Sequence, residues 1–182
     1  CAIIKVGFCT AWITLAIDVF SRVCLGLHLS LEAPSAMSAG MCIGHAILPK
    51  DEWLRRRGIG SVDWNMWGVM GILHMDNARE FRGDMLKVAC RVYDIDIHLR
   101  PVKKPRYGAH IERLMGTVTE GLKTLKGATF SGPDDLYEYD PEGNACMTME
   151  EIEKWLVLFF ARYHLEDHGG LGMPPMEKWR QG

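Results

Sequence analysis

Three strand-length apolar segments precede any helical periodicity, and this order restricts the folds open to the chain more than any other feature. Ala2 to Gly7 is a short apolar run, and Trp12 to Phe20 is rich in β-branched and aromatic residues. Ser21-Arg22 reads as a turn, after which Val23 to Leu31 alternates around Gly26 and His28. These segments suit an antiparallel meander whose interior is filled by Ile13, Leu15, Ile17, Val23, Leu25 and Leu27. Helices enter next. Pro34 at N1, or Ser35 as N-cap, opens one whose apolar face is Met37, Met41, Ala46 and Leu48, ending before Pro49. Residues 50–70 read as irregular, with Trp53, Trp64 and Trp67 either pinning a long loop to the core or stacking on bases.

Strands and helices then alternate. Gly71 to Met75 is a strand, and Gly83 to Tyr93 a helix with Met85, Leu86, Val88 and Ala89 available for packing. Ile95 to Leu99 is a short strand. Ala109 to Leu125 is a long helix, with Ile111, Leu114, Met115, Val118, Leu122 and Leu125 at helical spacing. Thr148-Met-Glu-Glu151 is a capping box that opens a further helix running to about His164. The order predicts an α/β protein with a five-stranded mixed sheet flanked by helices.

Composition fits one domain of 182 residues, 48% hydrophobic and 24% charged, which is enough to build a core. A net charge of −2 argues against nucleic-acid binding by bulk charge, though not against a local basic groove. The six cysteines form no C-x-x-C pair, and several lie in apolar runs, so they read as buried free thiols. The longest uncharged apolar stretch near the N-terminus, Val6 to Ile17, is too short to span a bilayer, and no basic region of a signal peptide precedes it. Lacking an initiator Met, the chain reads as a fragment or an excised domain.

Two carboxylates stand out. Asp76 ends the apolar run Gly71-Ile-Leu-His-Met-Asp76, and Glu112 lies at the start of a helical pattern in Tyr107-Gly-Ala-His-Ile-Glu112-Arg113, with 35 residues between the two. A strand-end carboxylate and a helical one can converge on divalent metal, the arrangement of two-metal phosphodiester chemistry. Just before Glu112, Arg100, Lys103, Lys104 and Arg106 put four positive charges into seven residues, a pattern that suits phosphate contact. Arg113 is placed to pair with an acid or a phosphate. Arg55, Arg56 and Arg57 read either as DNA contacts outside the site or as a solvated face.

These stretches resemble the retroviral integrase and DDE transposase superfamily. Leu15-Ala-Ile-Asp-Val-Phe-Ser-Arg22, Met75-Asp-Asn-Ala-Arg-Glu-Phe81 and Pro105-Arg-Tyr-Gly-Ala-His-Ile-Glu-Arg113 carry the likeness, and the interval matches the family's D-D-35-E arrangement. The tail, Tyr163-His164 and His168-Gly-Gly-Leu-Gly-Met-Pro-Pro-Met-Glu-Lys-Trp179, resembles the end of catalytic cores of Mu- and Tn7-type bacterial transposases. The resemblance implies a ribonuclease H-like fold. Residues 1–127 would be the catalytic core, truncated at its N-terminus, and residues 128–182 a helix and tail that complete it. It implies metal-dependent cleavage at DNA 3′ ends and strand transfer, with Asp76 and Glu112 as catalytic metal ligands for two Mg²⁺ or Mn²⁺ ions. Lys103, Lys104, Arg106 and Arg113 would contact DNA. The partners implied are transposon ends, target DNA and further copies of the chain, in a bacterial cytoplasm at the nucleoid. One departure is clear: residues 1–17 hold no Asp or Glu. By the family's layout the first catalytic Asp falls just before Cys1. Asp18, the only acid nearby, matches a position that is not a metal ligand in the resembling proteins. A non-catalytic assembly or DNA-binding module, or a nuclease of the same fold, are the alternatives.

Overall fold

The β-branched and apolar alternation at the N-terminus produces a hairpin and then a meander. The computed structural model describes residues 2–8, 11–75, 84–99, 109–123 and 147–182. Strand β1 (Ala2–Phe8) pairs antiparallel with β2 (Ala11–Ile17), and β2 with β3 (Cys24–Ser30). Two short strands, β4 (Ile72–Met75) and β5 (Asp96–Leu99), run parallel to each other, and β4 runs parallel to β1, with Ala2 level with His74. The strand order is β3-β2-β1-β4-β5. Ile13, Leu15, Ile17, Val23, Leu25 and Leu27 are all buried, as the meander requires. Thr14 and Ala16, on the opposite face of β2, are buried too, so both faces are covered there.

Helix α1 (Ala36–Ile47) begins at Ser35, whose side chain accepts from the Ser38 backbone N–H while the Ser38 hydroxyl accepts from the Ser35 backbone. It packs on β2 and β3 through Ser38, Ala39, Cys42, Ile43 and Ala46. The expected face of Met37, Met41 and Leu48 is the wrong one: all three are exposed, and only Ala46 of that set is buried. Small residues decide the matter. A Cβ on Gly26 would collide with the Cys42 carbonyl oxygen, so the helix approaches β3 closely and only a small-residue face fits. Residues 50–70 are not wholly irregular, since α2 (Asp51–Arg56) folds within them. Helix α3 (Asp84–Val92) buries Leu86 and Cys90 but leaves Val88 and Ala89 exposed. Helix α4 is Ala109–Lys123. Helix α5 (Met149–Leu165) starts with the expected capping box between Thr148 and Glu151. A short α6 (Pro175–Trp179), not anticipated from the sequence, packs on α5.

Side chains close the free edge of β3. The Cys24 N–H donates to His164 Nε2 at 3.0 Å, and the Leu27 N–H donates to His45 Nδ1 at 3.0 Å. Trp64 Nε1–H donates to the Cys24 carbonyl at 2.8 Å. Unpaired strand groups buried away from water would otherwise cost the full desolvation penalty. Both imidazoles must be neutral to accept from a backbone N–H. Burial above all, with Lys50, Arg57 and His28 adding to it, lowers the His45 pKa to about 3. Burial and then Lys50 lower that of His164 to about 3. Cys24, Cys42 and Cys90 are buried free thiols, as expected.

Two outcomes follow. Gly26→Ala should destabilise the protein by about 1–3 kcal/mol, because the obstructing atom is backbone and cannot swing aside; an unchanged denaturation midpoint would contradict this packing. The two caps contribute to the acid response. Their folded pKa values lie below the ordinary 6.5, so their contribution is complete above that value and is lost as pH falls toward about 3. Denaturant melts should show stability dropping through this window, and less steeply in His164→Gln. Parallel profiles for the two proteins would remove His164 from the acid response.

Candidate functional site

Helix α4 places the acid of greatest interest. Leu114, Met115, Val118 and Leu122 form its buried stripe, and the helix packs against β1. Glu112, in the first turn, is exposed, as is Arg113 beside it. The far half of α4 nests on α5 at Gly121, where a Cβ would lie 2.8 Å from the Trp155 ring. Trp155 stacks in turn on Phe159, ring centroids 5.3 Å apart.

Strand β4 buries Leu73 and Met75 on one face and turns Ile72 and His74 to the other. His74 sits across the parallel ladder from His98, edge to face with ring centroids 5.4 Å apart. Asp76 comes directly after this strand and lies outside the described residues, as do Lys103, Lys104 and Arg106. Of the residues expected at the site, the structure therefore places Glu112 and Arg113, on a helix packed against β1, the strand next to β4. Strand β1 itself carries no carboxylate. Among the described residues, no three His, Cys, Asp or Glu side chains gather into a metal-binding group.

Asp18 serves the turn between β2 and β3. Its Oδ2 accepts from the Ser21 N–H at 2.7 Å and from the Ser21 hydroxyl at 2.6 Å. Its backbone N–H donates to the Val23 carbonyl, and its carbonyl accepts from the N–H of Arg22, which takes a positive φ of 69°. The carboxylate is thus committed to holding a tight turn. The tail closes over the same turn: the Tyr163 hydroxyl donates to the Arg22 carbonyl at 3.2 Å, and Lys178 lies over the Phe20 ring at 4.4 Å.

The three consecutive arginines separate into different roles. Arg55 and Arg56 both pair with Glu52 on the exposed side of α2. Arg57 pairs with Glu153 of α5 and lies over the Trp53 ring at 3.9 Å, which ties α2 to α5. Trp64 is buried, Trp53 is covered by Arg57, and only Trp67 is exposed among these three. Sequence reasoning overlooked Lys50, which is 1% exposed and donates to the Leu48 carbonyl at 3.1 Å. Burial lowers its pKa to about 8. A lysine after Pro49 reads as a solvated loop residue, so the sequence offered no signal for it.

Comparison with known proteins agrees with this architecture. The chain is 21% identical over 169 residues to the transposase for transposon Tn552 of Staphylococcus aureus, an alignment covering 92% of this chain and 32% of that protein. The chain thus spans about a third of that relative's length. Among solved structures, the catalytic core domain of BIV integrase matches with a TM-score of 0.57 at 15% identity, covering 99% of this chain and 92% of that one. A simian T-cell lymphotropic virus intasome in complex with the PP2A regulatory subunit B56 gamma matches with a TM-score of 0.63 at 14% identity, covering 98% of this chain and 52% of that one. At such identities the likeness establishes the fold, that of an integrase catalytic core. Among the described residues, no helix is long and apolar enough to cross a membrane. Residues 6–127 match the family described as the TnsB C-terminal domain, and the chain belongs to that family, within the integrase and transposase superfamily.

Proposed function

We propose that this chain is the catalytic core of a DDE-type transposase that cleaves DNA at 3′ ends and transfers the exposed strand to target DNA. The observation that carries the reading is Glu112, an exposed carboxylate in the first turn of a helix packed on β1, in a fold matching integrase cores. Its oxygen donors suit Mg²⁺ or Mn²⁺, whereas the described thiols are buried and unavailable. Asp76 and Glu112 would hold the ions. When bound, two such ions activate the attacking oxygen and stabilise the leaving 3′-oxygen of an in-line displacement. Arg113, Lys103, Lys104 and Arg106 would hold the phosphate backbone in register. The DNA ends, the target and further copies of the chain are the partners proposed, at the bacterial nucleoid.

A second reading has its own support. Strand β1 brings no acid, and Asp18 Oδ2 accepts twice from Ser21 within its own turn, so neither favours a third carboxylate at the site. A non-catalytic DNA-binding or assembly module would need none.

The full-length protein, assayed with pre-cleaved transposon-end duplexes and Mn²⁺, should separate the two. Glu112→Gln and Asp76→Asn should each lower joining by more than about a hundredfold. Circular dichroism should be unchanged for Glu112→Gln, since that side chain is exposed. Joining at the wild-type rate in either variant would refute the catalytic assignment. DNA binding without joining in the wild type would select the module instead. The basic loop has a separate readout. Replacing Lys103, Lys104 and Arg106 with Ala should lower the slope of log affinity against log salt by about one for each phosphate the loop neutralises. An unaltered slope would exclude the loop from the DNA interface.

A further inference from the structure

Two imidazoles stand side by side at one end of the sheet. His74 lies on β4 and His98 on β5, directly opposite each other in the parallel ladder. Paired strands run about 4.8 Å apart, so opposite residues project together from one sheet face. Leu73 and Met75 are buried on the other face. The two rings lie at 86° to each other, with centroids 5.4 Å apart. His74 is half-buried and His98 is exposed, and β5 is an end strand of the sheet order, so an ion can reach the pair from solvent.

Three other histidines are used differently. His45 and His164 each accept a backbone N–H of β3, and His168 Nδ1 accepts from the Gly170 N–H. These contacts spend a ring nitrogen on the fold. The β4–β5 pair is instead a contact between two imidazoles across a ladder.

The spacing of that contact suits a chelate. With metal–nitrogen bonds of about 2.0–2.1 Å and a tetrahedral angle between them, two imidazoles on one ion have centroids about 5 Å apart. Each ring can turn about its metal–nitrogen bond, so perpendicular planes are compatible with shared ligation. The second nitrogen of each ring stays available to donate its N–H to another acceptor, as ligating histidines ordinarily do. Imidazole suits Zn²⁺ and Ni²⁺, whereas Mg²⁺ prefers oxygen. No third His, Cys, Asp or Glu joins the pair among the described residues, so water would complete the coordination.

We infer that His74 and His98 form a two-imidazole site for a borderline divalent transition metal, Zn²⁺ or Ni²⁺, that clips β5 to β4. The two strands are each four residues long, so one added tie is a large part of what joins them. Asp76 follows His74 by two residues, which puts the clip just before the acid proposed as a metal ligand. The pair supplies nitrogen donors where Asp76 and Glu112 would supply oxygen, and the clip does not depend on the chain being catalytic.

The test uses this chain and the metal alone. Zn²⁺ or Ni²⁺ should raise the thermal unfolding midpoint, and the rise should grow with the logarithm of ion concentration once the site is filled. In His74→Gln and in His98→Gln, the affinity for Ni²⁺ measured by titration calorimetry should fall by about tenfold or more, and the rise should shrink with it. Glu112→Gln should keep both. Equal affinity in the two histidine variants, or no binding by the wild type, would reduce the pair to a ring contact and overturn the inference. Loss of binding in Glu112→Gln would move the ion to the carboxylates and overturn it as well. His98 is exposed, so His98→Gln should keep the metal-free midpoint; if His74→Gln lowers that midpoint, the His98 variant decides the outcome.

Discussion

The closing of the β3 edge is the constraint on which the rest of the molecule depends. An edge strand presents unpaired N–H and C=O groups, and a protein must cover, charge or pair them. Here His45, Trp64 and His164 do so, from positions 18, 40 and 140 residues away from the groups they bind. Each cap fixes a different element against one strand: α1, the segment after α2, and α5. The contacts also form a ring. His45 packs on Trp53 at 4.4 Å between centroids, Arg57 covers Trp53 and pairs with Glu153 of α5, and α5 returns to β3 through His164. The arrangement has a cost: His45 Nε2 and His164 Nδ1 are buried without hydrogen-bond partners.

Local chemistry makes much of the scaffold legible. The meander, the Ser35 start of α1 and the Thr148-Glu151 box of α5 each rest on short-range rules, namely strand alternation and capping, and the structure shows them where those rules put them. The face of α1 is not legible, because it is set by Gly26 on a distant strand and not by the helix's own hydrophobicity. Met37 and Met41 are larger than Ala39 and Cys42, and only the smaller pair fits against β3. The edge caps escape for the same reason. A histidine that accepts from a backbone N–H 140 residues away leaves no local pattern.

The candidate site is legible in a different way. Glu112 stands out through its motif and spacing, and the structure adds that its helix buries Leu114, Met115, Val118 and Leu122 and leaves the carboxylate exposed. Asp18 shows the limit of reading acids by type. Its chemistry is that of a metal ligand, but Ser21 donates to its Oδ2 twice, in a turn where Arg22 takes a positive φ. Arg57 shows the same limit for cations, since it lies in a basic run and yet ends in an ion pair across two helices.

Precision at a catalytic carboxylate comes from the rigidity of what carries it. Glu112 sits on a helix that is itself held at two places, against β1 and at the Gly121–Trp155 contact with α5. Helix α5 is in turn fixed by His164 on β3, by Tyr163 on the β2–β3 turn and by Glu153 on Arg57. The route from the capped edge to the carboxylate is therefore one of packed elements. Gly121 is a close step in it, because a Cβ there would lie 2.8 Å from the Trp155 ring, and either the ring or the helix would have to shift. A larger residue at that position would displace Glu112 without touching it, which is how a scaffold of ordinary packing contacts comes to govern the geometry of a site on its surface.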